Sequence, residues 1–499
     1  MRVPLLTGTR VAVVQAPDDA EVLLPPPPGE AIASVEAAVR DALRFPLEGP
    51  PLAELAPAGG RATIVVEPTA LPIPGGLADP RQAALAATLA ELERAGVALE
   101  RQTLLVAGGL ARRAGRAELE ALVSPDLARR FRGRVVVHDV EDPENVEVAH
   151  AGRTPLRVSR ALVDADVVVV VSAAESVLHG GPAALLGASC VEALRAADAY
   201  SLLEAGASTG WRLAVELERT LAARTALVGV SLVLNHPSFA GPVLGYPYER
   251  ESLERVASSP LQRLYRTLPG PVRRIVLQSL RADLTAAAVY AGPPSVAHAE
   301  ALLRGIELRS AVLRGRVDAI CIGIPNVTPH LPREVPNPLL ATVLGLGLAL
   351  RMWRHAFPVA DGGTAILVHR FDRRFAHPTQ QPYRALFAAA TRLGREPEDL
   401  VEAERAARED ERAIADYRAG RTCHPLLPFA DWAACAPALG RLGSVLVAGC
   451  RDAAAARQLG FVPVHSVPAA LEMARGLAGD GFRLGVLVSP PYFPVRVED

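Results

Sequence analysis

The stretch Asp164-Ala165-Asp166-Val167-Val168-Val169-Val170-Val171-Ser172-Ala173-Ala174-Glu175-Ser176-Val177-Leu178-His179-Gly180-Gly181-Pro182-Ala183-Ala184-Leu185-Leu186-Gly187 decides the fold. Five consecutive valines bounded by polar residues predict a strand buried on both faces, as in a parallel sheet. Pro182, placed after a glycine pair, suits the first turn of a helix. The loop between them joins the carboxyl end of a strand to the start of a helix. Open α/β sheets bind ligands beyond the carboxyl ends of their strands. Free N–H groups at a helix start attract anions. Glu175 and His179 are the titratable groups of this loop. The competing reading is a tight turn at Gly180-Gly181 with an ordinary surface histidine beside it.

Outward from this stretch the same alternation recurs. Strands are expected at Arg10 to Val14, Ala62 to Val66, Thr103 to Ala107, Arg134 to His138 and Thr225 to Leu234, with helical spacing between several of them. Alternation of this kind predicts βαβ units and a mostly parallel sheet. Strands ending at Glu67, Gly108 and Glu175 bring their loops to one edge. Asn235 and His236 follow the Thr225 strand.

A helix from Ser295 to Arg314 leads to a second α/β layout. There Val317 to Ile324 precedes Pro325-Asn326-Val327-Thr328-Pro329-His330, and Asn337-Pro338 opens an apolar helix from Leu339 to Trp353. Strands at Thr364 to Val368, Ser444 to Ala448, Val462 to His465 and Arg483 to Val488 complete it. The expected architecture is two Rossmann-like α/β domains, 1–290 and 291–499, with mostly parallel sheets facing a central cleft. Helical insertions are expected at about 238–288 and 370–440. The first carries an amphipathic helix at Pro271 to Leu280, read as a packed insertion with a solvated arginine face, or else as a lid, a dimer arm or a membrane-surface helix.

Composition narrows the function. The chain has 499 residues, half of them hydrophobic, so it can bury more than one core. A net charge of −1 and 4% aromatic residues leave no electrostatic footprint or stacking surface for nucleic acid. All 53 residues of the Lys+Arg total are arginine. With no lysine, Schiff bases, lysine general bases and lysine-tethered cofactors are excluded.

Cys190, Cys321, Cys423, Cys435 and Cys450 form no C-x-x-C pair, as expected of a cytoplasmic protein. The longest apolar run, Leu339 to Leu350, is shorter than the roughly 20 residues of a membrane span. No dinucleotide fingerprint, Walker motif or G-x-S-x-G elbow is present. No histidine group has a recognised metal spacing. His179, His236 and His330 stand out because each follows an expected strand.

In its order of elements the chain resembles the nickel-dependent lactate racemase family. The resemblance rests on Ala62 to Gly76, Thr103 to Leu122, Val135 to Asp139 with Asp142-Pro143, Ala165 to Gly187, Ala291-Gly292-Pro293 with Ala297-His298, and the turn Gly362-Gly363. It implies a nicotinic-acid-derived nickel pincer cofactor tethered to a lysine just after the Gly-Gly, and histidines that bind nickel or act as acid and base. Here the tether position falls at Ala183, or at Pro182. The loop aspartate and arginine fall at Pro68 and Leu71, and family histidines at Ala111, Val177 and near Ala199-Tyr200, with His179 in reach of the Val177 role. The absence of lysine excludes the covalent nickel pincer nucleotide and leaves a non-covalently held nickel cofactor open.

The reading is a lactate-racemase-like protein that binds a small anionic molecule of the 2-hydroxy acid type in the interdomain cleft, as an isomerase without the tethered cofactor. Glu175 and His179 would be catalytic. Gly180, Gly181, Asn235, His236, Asn326 and His330 would bind ligand, with the N–H groups past Pro182 holding its carboxylate. The alternative is a non-catalytic ligand-sensing or assembly protein built on the racemase fold. Oligomeric state is left open.

Overall fold

The computed structural model describes residues 1–68, 79–115, 119, 122–326, 335–375, 377–390, 393–394 and 400–498. The valine run forms the strand Val167–Ala173, buried along its whole length. Val167, Val169 and Val171 enter the apolar core on one face of the sheet, and Val168 and Val170 the core on the other. That is the period-2 alternation of a strand covered on both sides. Burying each such side chain contributes roughly 1.5 kcal/mol or more.

The strand sits inside a six-stranded sheet ordered Ala286–Gly292, Ala226–Leu234, Val167–Ala173, Ala62–Val66, Gln102–Val106 and Arg134–Val137. Every pairing in it is parallel except that of Ala286–Gly292 with Ala226–Leu234. A second six-stranded sheet runs Val462–Val464, Ser444–Ala448, Val359–Val368, Val317–Gly323, Leu484–Leu487 and Glu21–Leu23, all parallel. The mixed α/β class with mostly parallel sheets is as expected.

Several elements differ from the sequence reading. Glu21–Leu23 belongs to the second sheet, although it lies within the span assigned to the first unit. The preceding hairpin, Arg2–Thr7 with Arg10–Gln15, packs Val3, Leu5 and Val14 on the same side, against Cys321 and Ile366. The helix expected past Pro182 is two pieces, Ala183–Gly187 and Val191–Ala196. The one expected from Ser295 to Arg314 ends at Arg309, and Ala311–Arg314 is a strand.

The apolar helix expected from Leu339 to Trp353 is α-helical only at Pro338–Thr342. It continues as a π-helical turn, Val343–Leu348, then a 3-10 turn, Ala349–Arg351. Gly345 lies so close to the sheet that a Cβ there would sit 2.6 Å from Leu367 Cδ2. Among the described residues no helix is long and apolar enough to cross a membrane.

Candidate functional site

Glu175 follows the Val167–Ala173 strand and is buried, 4% exposed. Its neighbours come from three other elements. Arg81, in the first turn of the helix Pro80–Arg94, places Nη1 3.8 Å from Glu175 Oε2. Asp79 caps that helix by accepting from the Arg81 N–H at 2.9 Å. The Asp79 carboxylate also accepts from Arg81 Nε, at 3.0 Å and 2.9 Å, and from Nη2 at 2.6 Å. Burial pulls the Arg81 pKa down, but Asp79 and then Glu175 push it up, and the net direction is upward.

Glu67, the residue after the Ala62–Val66 strand, accepts a hydrogen bond from the Gly180 N–H. Burial first, and the Glu175 charge second, push its carboxyl from 4.5 up to about 8; Arg81 and the Gly180 N–H oppose the shift. Buried Arg309, from the last turn of the helix Pro294–Arg309, donates from Nη2 to Ala174 O at 3.1 Å and from Nε to Gly305 O at 3.3 Å. Burial lowers its pKa and Glu175 partly restores it. Three carboxyl groups, Glu67, Asp79 and Glu175, and two guanidinium groups, Arg81 and Arg309, thus gather at the carboxyl edge of the first sheet.

The loop amides are committed internally. Gly181 N–H donates to Ser172 Oγ at 2.8 Å, Ala183 N–H to Gly180 O at 3.1 Å and Ala184 N–H to Gly181 O at 3.2 Å. The expected anion cradle past Pro182 is therefore closed: the loop folds into consecutive turns that use its own donors. Gly180 and Gly181 adopt φ +89° and +51°, and a Cβ on Gly181 would lie 2.3 Å from His298 Cβ. Fully buried His298 hydrogen-bonds Ser176 O through Nε2 at 2.9 Å and stacks near Trp211. Burial pushes its pKa down to about 4.

The remaining expected residues scatter. His179 Nδ1 lies 3.1 Å from Ser176 Oγ, on the same loop as Glu175. Asn235 clamps the chain, with Nδ2 donating to Gly29 O at 3.2 Å and Thr285 Oγ1 at 3.0 Å. His236 Nε2 contacts Arg309 O at 3.2 Å, one residue removed from Glu175, and burial pushes its pKa down to about 3. Asn326 packs on the N-terminal hairpin, its N–H donating to Gly8 O at 3.1 Å. His330 lies outside the described residues.

Sequence reasoning missed Arg81, Arg309 and His298 as site residues, and placed Glu67 at the edge without giving it a role. Asp79-Pro80 signalled the helix start that sets Arg81; Arg309 has no comparable signal. A depression of about 610 Å³ is lined by Arg61, Asp164, Asp166, Arg224 and Thr225, so it lies at the amino end of the strand and away from Glu175.

Comparison with known proteins bears on this geometry. Residues 8–180 match the family model described as the lactate racemase N-terminal domain. The lactate racemase apoprotein from Thermoanaerobacterium thermosaccharolyticum is similar in structure, with TM-score 0.60 at 15% identity over 99% of this chain and 100% of that one. The chain shares the fold of that apoprotein. A protein from Thermotoga maritima is also similar in structure, with TM-score 0.51 at 12% identity over 94% of this chain and 100% of that one. No curated protein matches in sequence.

Proposed function

We propose that this lactate-racemase-like chain binds a small anionic molecule of the 2-hydroxy acid type beside Glu175, in the cleft between the two sheets, and acts on it as an isomerase by proton transfer. The observation that carries the reading is the pair of neighbouring carboxyls, half-buried Glu67 and buried Glu175, held under different environments. A carboxyl pushed up to about 8 is protonated at neutral pH and serves as proton donor. Glu175, facing Arg81, serves as acceptor. Taking the proton from the hydroxyl-bearing carbon on one face and returning one on the other inverts that carbon with no net change in atoms. Arg81 and Arg309 supply the positive charge for the substrate carboxylate. His179 is the polar partner for the hydroxyl, Gly180 positions Glu67, and His236 supports Arg309. Asn235 and Gly181 hold the chain around the site.

The cofactor implied by the resemblance does not fit these residues. Its tether position is Ala183, a buried side chain at the start of a short helix, and the sequence holds no lysine. Among the described residues no three His, Cys, Asp or Glu side chains converge as a metal site. No step is therefore routed through that group.

The test is calorimetric titration of D- and L-lactate, with a chiral assay of interconversion, on the wild type and on Glu175→Gln combined with His179→Ala. Binding should vanish in the double variant while the melting temperature stays within a few degrees. Unchanged affinity would remove both residues from the site. The second reading, a non-catalytic ligand sensor, is favoured by the closed loop amides and the alanine at the tether position. Tight binding without interconversion, in a colourless protein without stoichiometric metal, would select it.

A further inference from the structure

The helices Pro260–Thr267 and Gly270–Gln278 turn an apolar face to solvent. Leu261, Leu264, Val272, Ile275 and Val276 are all exposed, Leu264 by 61% and Ile275 by 64%. Their spacing, 261 to 264 and 272 to 275 to 276, places each set on one side of its helix. The opposite side is held down. Tyr265 donates its hydroxyl to Thr9 O at 2.8 Å, and buried Arg273 reaches Thr9 Oγ1 at 3.4 Å and Arg266 O at 3.4 Å. The exposed face is therefore mixed: Arg273 is inside, while Leu261, Leu264, Val272 and Ile275 stand in solvent among other arginines.

Charge decides what covers this face. From Ser259 to Arg281 every charged residue is arginine: Arg263, Arg266, Arg273, Arg274 and Arg281. Arg263, Arg266 and Arg281 are exposed beside the apolar side chains. A second copy docked by two-fold symmetry would bring these like charges together. A nucleic acid would leave the leucines and isoleucine unburied. An interface with an apolar interior and a negative rim satisfies both sets at once.

We propose that this helical pair docks on an anionic lipid surface. Leu261, Leu264, Val272 and Ile275 enter the boundary between headgroups and acyl chains, and the exposed arginines extend to the anionic headgroups. The association is peripheral, since no helix among the described residues is long and apolar enough to cross a membrane.

The test is co-sedimentation of the full chain with vesicles of phosphatidylcholine, alone or mixed with phosphatidylserine, at low and high salt. The wild type should pellet with the mixed vesicles at low salt, and about tenfold less with pure phosphatidylcholine or at high salt. Leu264→Glu with Ile275→Glu should lower pelleting by about tenfold, and unchanged circular dichroism would show it folded. Arg263→Gln with Arg266→Gln should remove most of the salt-sensitive part; it provides a second arm if the first variant does not fold. Failure of the wild type to pellet with mixed vesicles overturns the proposal. So does a dimer by light scattering that the Leu264→Glu, Ile275→Glu variant dissociates without any vesicle binding, which would assign the face to a second copy.

Discussion

Glu67 is a carboxyl whose surroundings favour the protonated form, with consequences for stability. Its pKa rises from 4.5 to about 8 because burial removes water and Glu175 adds a like charge. Between those values the folded chain carries a proton that the unfolded chain has released. Its contribution is therefore complete below the unfolded pKa and is lost as pH rises through the folded one. We expect Glu67→Gln to remove a loss on the order of 3 kcal/mol between about pH 5 and about pH 9. The comparison of melting temperature against pH for variant and wild type isolates it, because His236 and His298, with pKa values pushed down by burial, act in the opposite sense on the acid side in both proteins. Parallel curves would mean that Glu67 is ionised in the fold. Gly181 gives a second expectation at this scale. With φ +51° and His298 Cβ 2.3 Å from where its Cβ would fall, Gly181→Ala should cost about 3 kcal/mol or more in urea unfolding. Gly180-Gly181 and Glu175 were legible because a glycine pair after a valine run marks a turn at a strand end. Arg309 was not, because a residue in the last helical turn is brought to Glu175 by the tertiary path alone.

At the scale of elements, legibility followed length and burial. A run of five valines, buried on both faces, identifies itself, and Val317–Gly323 does so by the same rule. The three-residue strand Glu21–Leu23 has no period to detect, and its partner Leu484–Leu487 lies at the other end of the chain. The broken helix after Asn337 was hidden because Gly345 and Gly347 read as helix on hydrophobicity, while Gly345 lets the backbone approach Leu367 and Gly347 packs near Ala434 and Cys435. The edge strand makes its own prediction. Leu23 is buried, and its carbonyl accepts from Val488 N–H at 3.1 Å. Removing residues 1–24 should speed amide exchange in Leu484–Leu487 while leaving Val167–Ala173 as protected as before. Equal protection of both strands would show that the N-terminal segment adds nothing to the second sheet.

At the scale of the molecule, the two sheets are joined by a helical arm reaching back from the second part of the chain. Tyr417 is fully buried; its hydroxyl donates to Gly109 O at 3.3 Å and accepts from Val140 N–H at 3.4 Å. His424 N–H donates to Leu110 O at 3.0 Å. Its Nδ1 accepts from Leu426 N–H at 3.1 Å, which leaves the proton on Nε2 for Glu141 Oε1 at 2.9 Å. Arg195 pairs with Glu404 at 2.7 Å and 2.9 Å, and Arg418 Nε reaches Asp139 Oδ2 at 3.1 Å. Leu110, Val140, Val191 and Leu202 enter the core built mainly from residues beyond 311. Apolar burial and buried hydrogen bonds on one joint couple the unfolding of both sheets, and the half-buried ion pairs add less. A scanning calorimeter should record one cooperative transition for the wild type. Tyr417→Ala combined with His424→Ala removes two buried rings and their hydrogen bonds, a loss of about 4 kcal/mol or more at the joint. That loss should split the trace into two transitions, since each sheet keeps its own core. A single transition at lower temperature would instead mean that the sheets are coupled through Arg351 and Leu202, where Leu202 N–H donates to Arg351 O at 2.8 Å, and the arm would then be a passenger on that contact.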